Sequence, residues 1–533
     1  MIRERLENIC FNKHRSARVA TAARKVIFAS CTVVSFMLTG CNSDEASGTV
    51  VLRVSNWEEY IDEGDWDETI ELEDGTEICG EDSIITDFEN WYYETYGKKV
   101  KVEYSTFGTN EELYNQITIG DVYDLVCPSD YMMEKLLREG KLVPYSKSFF
   151  DASGDNNYYA KGVSPYIDSV FKGLSVNGED LSGYAAGYMW GTMGVVYNPE
   201  EISKEDASHW DVILNKDYYR RITVKDSVRD TYFAALGIEY YDEITADDFK
   251  NSPDYRQKLS KVLNRTDEAS VKRAEDILSK AKDNVYSFET DSGKADMVTG
   301  KVVANIQWSG DAVYTLDQAE EDGVELCYVM PEEGTNLWFD GWVMLKEGLE
   351  QDPDKQQAAE AFVNYMSRPD NAIRNMYYIG YTSVISGGES DLIYQYINYC
   401  YAADTDEAEE PEDIEGIEAA ADGHPDDTDD EDTEPGSDET LSEEENGNAG
   451  EETVVYSGIG YFFEADTDEA DEKYSVITTP DQLERQLYAQ YPSKSIVDHA
   501  VVMECFDEEA NERINRAWTN VRCFDINKLF VWK

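Results

Sequence analysis

Short apolar blocks alternate along this chain with longer stretches of helical period, and the alternation predicts the elements. Residues 50–54 (VVLRV) read as a buried strand, 84–95 as a helix and 99–104 as a second strand. A third strand at 124–127 (DLVC) runs directly into Pro128, Ser129, Asp130 and Tyr131. Farther along, helices are predicted over 271–282 and 354–366, and strands over 302–307 and 326–330. Such alternation makes an α/β fold with a mainly parallel sheet. A parallel sheet places ligands beyond the carboxyl ends of its strands, which directs attention to 56–60 and 128–131. One sheet has room for all these strands, whereas a length of 533 residues favours two.

Three stretches stand outside the alternation. The first 25 residues carry seven Lys and Arg, and an apolar run follows over 26–38, the order of an export signal. It ends in Leu38-Thr39-Gly40-Cys41, a pattern that resembles a bacterial lipobox, in which the cysteine becomes the lipidated first residue. The run of 13 residues is too short to span a bilayer, which takes about 20. Residues 1–40 are therefore expected to be a signal peptide, Cys41 the lipidation site and 41–48 a polar tether. The second stretch, 403–453, is acidic: between Asp404 and Glu452 there are 24 Asp and Glu and no Lys or Arg. Such a composition buries too little apolar area to offset its ordering entropy, so it is expected to be a disordered insertion. The hexapeptide ADTDEA flanks it at 403–408 and 465–470. The third, 64–82, is a shorter acidic, insertion-like stretch containing Cys79.

Charge and side-chain chemistry narrow the function. A formal net charge of −65 argues against nucleic-acid binding, which needs a positive field. Beyond Cys41 the cysteines are Cys79, Cys127, Cys327, Cys400, Cys505 and Cys523, with no CxxC or Cys/His ligand spacing, so no metal site is expected. Cys127 and Cys327 lie in apolar strand-like runs and read as buried thiols. Beyond the signal the only histidines are His209, His424 and His499, and no G-x-S-x-G or H-E-x-x-H occurs, so a hydrolytic enzyme is a remote alternative. What recurs instead is an aromatic ring beside an acid at a strand end. Trp57 and Tyr60 flank Glu58, Tyr131 adjoins Asp130, Trp338 is two residues from Asp340, and Trp308 follows the strand predicted to end at Gln307. An elongated organic polycation needs that combination: carboxylates at its ammonium groups and aromatic faces along its methylenes.

On these residues the chain resembles the spermidine/putrescine-binding proteins of ABC importers, over roughly 50–400 and 455–522. The similar segments are SNWEEYI from Ser55, YDLVCPSDYMMEKL from Tyr123, GYMWGTMGVVYNP from Gly187, KDSVRDTYFAALG from Lys225, NIQWSGDAVY from Asn305, PEEGTNLWFDGWV from Pro331 and YYIGYTS from Tyr377. The resemblance implies a two-lobed periplasmic-binding-protein fold with the ligand in the cleft. Lobe 1 would be 49–190 plus 339–389, and lobe 2 would be 191–338 plus 390–402 and 454–533. The ligand-binding roles would fall on Trp57, Glu58, Tyr60, Ser129, Tyr131, Asp230, Trp308, Trp338, Asp340, Tyr381 and Glu504. Asp340 and Asp230 would pair with ammonium groups, Trp308 and Trp338 would cover methylenes, and the Ser129 and tyrosine hydroxyls would accept hydrogen bonds. The chain departs from the family at Ser227, which replaces a carboxylate, leaving diamine and triamine both open. Glu58 stands where a hydroxyl is common, either compensating for that loss or pointing to solvent, and Glu504 aligns only loosely.

The resemblance further implies a monomer outside the cytoplasm, lipid-anchored to the bacterial cell membrane, with a polyamine ligand, membrane permease subunits as partners and no cofactor. The competing reading within the same fold is a receptor for another small organic cation, such as a cationic amino acid or thiamine. A protein acting through its acidic tract is a third.

Overall fold

The computed structural model describes residues 48–523 apart from 67, 177–178, 404–453 and 465–466. The signal peptide, Cys41 and the acidic tract lie outside the described residues. The strands that matter for the site are β1 (Val50–Trp57), β2 (Val100–Phe107), β3 (Leu125–Val126), β4 (Ala185–Tyr197), β5 (Ile222–Lys225), β6 (Ser287–Glu289), β7 (Ala304–Trp308), β8 (Cys327–Val329), β9 (Thr335–Leu345) and β10 (Thr382–Ser383). Among the helices, α1 is Ile84–Tyr96, α2 Asp130–Arg138, α3 Val228–Glu239, α4 Glu268–Asn284, α5 Ser309–Glu321, α6 Pro353–Met366 and α7 Pro369–Ile379.

Hydrogen bonding runs through one sheet in the order β6-β5-β7-β4-β9-β3-β1-β2. Its two ends are parallel blocks, β3-β1-β2 and β6-β5-β7, as the strand and helix alternation leads one to expect. The long central strands β4 and β9 pair antiparallel with each other and with the adjoining block, β4 with β7 and β9 with β3. Both are buried along their whole length, and each serves both halves, so the two sheets expected from chain length are hydrogen-bonded into one.

The apolar core divides where the sheet changes hands. One cluster includes Leu52, Val54, Phe88, Leu125, Trp190, Phe339 and Phe362; a second includes Val195, Trp210, Val224, Phe233, Leu236 and Ile306. Trp308 packs against both. Local signals account for the element ends. Ser83 Oγ accepts the Thr86 N–H at the start of α1, and Gly97, at φ 67°, closes it in the left-handed conformation that glycine adopts without strain. β1 extends past the expected 50–54 to Trp57 because its residues keep pairing with β2 out to Phe107.

The acidic stretch 64–82 is a small hairpin, Ile70–Glu71 against Glu77–Ile78, with Ile70, Leu72 and Ile78 buried. Cys79 beside it is exposed, while Cys127 and Cys327 are buried thiols. No helix among the described residues is long and apolar enough to cross a membrane.

Candidate ligand-binding site

The register of β9 against β4 shifts between Asp340 and Gly341, a bulge of the kind that re-aims a side chain out of its ladder. Asp340 Oδ2 accepts the Tyr60 phenol at 2.9 Å and Oδ1 accepts the Ser129 hydroxyl at 2.7 Å. Tyr60 stands just beyond the end of β1 and Ser129 just beyond β3, the two places that parallel strand ends single out. Ser129 is the N-cap of α2, yet its hydroxyl makes no capping bond, which leaves it free for Asp340. Asn110 holds it there: Nδ2 donates to Ser129 Oγ at 3.1 Å and to the Tyr131 hydroxyl at 3.0 Å.

Burial raises the Asp340 carboxyl to about 7, against the lowering effect of the Ser129 and Tyr60 hydrogen bonds. Burial and the Asp340 charge keep the Tyr60 phenol protonated, so it donates. Around this carboxylate the rings meet edge to face: Tyr60 with Tyr381 at 4.9 Å between centroids, and Trp338 with Tyr381 at 5.8 Å. Two glycines make room for them. A β-carbon on Gly191 would lie 2.5 Å from Trp338 Cζ2, and one on Gly310 would run into the Tyr381 ring.

Asp230 approaches from the other block, on the first turn of α3. Ser227 is the N-cap of that helix and accepts the Asp230 N–H at 3.4 Å. Burial raises the Asp230 carboxyl, with the Ser227 hydroxyl and the Trp308 indole lowering it and Arg229 and Lys225 lowering it further. Trp308 is the last residue of β7 rather than the first beyond it, and is also the N-cap position of α5. Tyr131 lies beneath the Arg229 guanidinium, 4.4 Å from ring centroid to carbon, and its hydroxyl donates to Glu111 Oε1 at 3.2 Å.

The remaining expected residues make other contacts. Trp57 packs on Phe107 at 4.8 Å, with its indole N–H buried and without a hydrogen-bond partner among the described residues. Glu58 is exposed. The Glu504 carbonyl accepts the Arg229 guanidinium at 2.8 Å. Its carboxylate faces Ser260 at 3.4 Å, and it lines a cavity of about 510 Å³ with Glu134, Arg138 and Arg256.

Two residues in the quoted segments, Asp311 and Lys225, join this cluster though motif reading passed over them. Glu59, at φ 53°, is exposed like Glu58. Asp311 on α5 accepts the Tyr381 phenol at 3.0 Å and the Lys225 ammonium at 2.6 Å. Burial alone would raise the Asp311 carboxyl, but Lys225 and Lys294 outweigh it and hold the group well below the usual carboxylate range. Nothing along the chain signals that Lys225 meets Asp311.

A family model described as bacterial extracellular solute-binding protein matches residues 83–393. The chain belongs to this family. Among curated relatives, this solute-binding protein is 25% identical over 344 residues to the spermidine/putrescine-binding periplasmic protein of Salmonella typhimurium, covering 64% of this chain and 80% of that one. It is 26% identical over 279 residues to the putrescine-binding periplasmic protein PotF of Escherichia coli, covering 51% and 67%. Solved structures share the fold. The spermidine/putrescine ABC transporter substrate-binding protein PotD from Streptococcus pneumoniae superposes with a TM-score of 0.50 at 21% identity, over 89% of this chain and 98% of that one. The Tp0655 (TpPotD) lipoprotein of Treponema pallidum does so with 0.51 at 15% identity, over 89% and 99%. The fold is therefore the two-lobed α/β architecture of the periplasmic binding proteins.

Proposed function

We propose that this solute-binding protein captures a polyamine of the spermidine and putrescine class outside the cytoplasm and delivers it to the permease subunits of an ABC importer. The observation that carries this reading is Asp340: a buried carboxylate held by two hydroxyls, bordered by the rings of Tyr60, Trp338 and Tyr381, and without an ion-pair partner among the described residues. An unpaired buried carboxylate costs free energy until a cation reaches it. Asp230 supplies a second such group from the opposite block. The names of the Salmonella and Escherichia relatives support the same ligand class.

In this reading Tyr60, Ser129, Tyr131, Asp230, Trp308, Trp338, Asp340 and Tyr381 bind ligand, Trp57 closes the end of the cleft beside β1, and Glu58 and Glu504 act at its margin. The protein transports and does not catalyse. Cys41 carries the lipid that keeps the protein, a monomer, at the membrane. Lobe 1 comprises 49–190 with 339–389, and lobe 2 comprises 191–338 with 390–402 and 454–533.

Isothermal titration of the mature protein against putrescine, spermidine, spermine, arginine and thiamine tests the ligand class. Binding of one or more of the polyamines, with arginine and thiamine silent, is expected. Heat from arginine or thiamine alone defeats the reading.

A further inference from the structure

Three carboxylates are buried around this cluster: Asp230 at 8% exposure, Asp311 at 7% and Asp340 at 6%. They belong to one assembly. Asp311 accepts the Tyr381 phenol, the Tyr381 ring meets the Tyr60 ring, and the Tyr60 phenol donates to Asp340. Trp308, whose indole acts on Asp230, begins the helix that carries Asp311. Their pairing is unequal, however. Asp340 and Asp230 have no ion-pair partner among the described residues, whereas Asp311 is matched from within the chain.

The match has the geometry of a bound ammonium. Lys225, the last residue of β5, has a side chain 1% exposed. Its Nζ donates to Asp311 Oδ2 at 2.6 Å and to the Thr290 carbonyl at 2.7 Å, and lies 4.5 Å from the centroid of the Trp308 ring. Carboxylate, carbonyl and aromatic face together are what a recognition site offers a ligand ammonium. Lys294, tied to Asp291 at 2.9 Å, adds a second positive charge 3.5 Å from Asp311. Other buried acids nearby are already engaged: Asp130 accepts the backbone N–H groups of Tyr131 and Phe339, and Glu289, beside Lys225 in the sheet, accepts the Gly293 N–H and the Asn305 amide. Arg229 is turned toward the rings of Tyr131 and Phe506 and the Glu504 carbonyl.

Resting on the polyamine reading above, we propose that Lys225 is a specificity-determining residue: an internal ammonium that fills one ammonium subsite of the cleft, so that the protein selects a diamine over a triamine. Two unpaired buried carboxylates, Asp340 and Asp230, match a dication. The third ammonium of a triamine would meet Lys225 and Lys294 instead of a free acid, and like-charge juxtaposition is an effective way of rejecting a competing ligand.

Titration of the mature protein with putrescine and with spermidine tests the assignment in three forms: wild type, Lys225→Met, and the double variant Lys225→Met with Asp311→Asn. The wild type is expected to bind putrescine at least about tenfold more tightly than spermidine. Lys225→Met, which removes the nearer of the two ammonium groups held against Asp311 and opens that position to a third ligand ammonium, is expected to shrink that ratio by about tenfold, and the double variant to restore it. A wild type that binds spermidine as tightly as putrescine overturns the proposal, and so does a ratio that Lys225→Met leaves unmoved. A wild type that binds neither polyamine overturns it together with the polyamine reading, whereas an unchanged ratio with both ligands bound overturns the Lys225 role alone. Should Lys225→Met fail to fold, as read by circular dichroism, the wild-type ratio decides.

Discussion

The Tyr60 phenol reaches Asp340 Oδ2 at 2.9 Å across 280 positions of chain. It ties the end of an outer-block strand to a bulge in a central one, so the carboxylate is aimed before any ligand arrives. Preorganised hydroxyls favour the ionised form of Asp340 while burial opposes it, and the balance leaves the group poised near neutrality. Such a carboxylate responds strongly to a cation.

Removing its charge should therefore weaken polyamine binding. Asp340→Asn is expected to lose about 2 kcal/mol or more, roughly thirtyfold in Kd, because a buried ammonium loses its countercharge. Arg53→Ala is the control. Arg53 lies on β1 with its side chain 41% exposed and pairs only peripherally with Glu103, so titration of that variant should give an affinity within about twofold of wild type.

The pH dependence has a defined sign. With the Asp340 carboxyl raised to about 7, polyamine affinity should fall as pH drops below that value, approaching about tenfold per unit for one group. Asp230, also raised by burial, acts in the same direction. For stability without ligand the sign reverses. The folded value lies above the ~3.9 of an unfolded Asp. The Asp340 contribution is thus complete below about pH 4 and is lost as pH rises through about 7. Calorimetry at pH 6, 7 and 8 checks the binding arm, and a flat profile in wild type excludes Asp340 as the titrating anchor.

Close packing behind the aromatic rings gives a second handle. In Gly191→Ala the new β-carbon would lie 2.5 Å from Trp338 Cζ2, so the indole must shift, at a cost of about 1–3 kcal/mol for an overpacked site. Reduced polyamine affinity with an altered tryptophan emission spectrum is expected. Unchanged affinity would separate Trp338 from the ligand.

Arg374 on α7 is the support on which the Tyr60 segment rests. Its Nε donates to Asp62 at 2.8 Å, Nη1 to Asp87 at 2.7 Å and Nη2 to the Asp82 carbonyl at 2.9 Å. Asp62 is fully buried, so Arg374→Ala strands its charge and should destabilise the fold by about 3–5 kcal/mol in urea denaturation. A loss below about 1 kcal/mol would show that the pair does not hold this loop.

Replacing 404–452 by a short Gly-Ser linker should leave polyamine affinity within about twofold. The Ala403 N–H donates to the Ile477 carbonyl at 2.8 Å, and Ile477 pairs with Tyr456 on its other side. The two ends of the tract thus flank one strand, a separation of about two strand spacings, or 10 Å, which a few residues span. A large loss of affinity in titration would assign the tract a part in binding.

Local patterning sufficed for the strand-end segments that build the site, and for much of the rest of the fold. Apolar blocks at 50–54 and 124–127 placed Tyr60 and Ser129 just beyond parallel strands, because period and turn residues are properties of neighbours in sequence. Recurrent aromatic and acidic pairs likewise pointed to a cation. Tertiary structure alone decided which groups meet: the bulge that turns Asp340 toward Tyr60, the continuous hydrogen bonding through β4 and β9, the Arg229 guanidinium on the Glu504 carbonyl, and the Lys225 ammonium on Asp311. Each depends on contacts between distant positions, whose energies arise from burial and mutual orientation. A carboxylate or an ammonium has the same letter in the sequence whether it is solvated, paired or left waiting for a ligand.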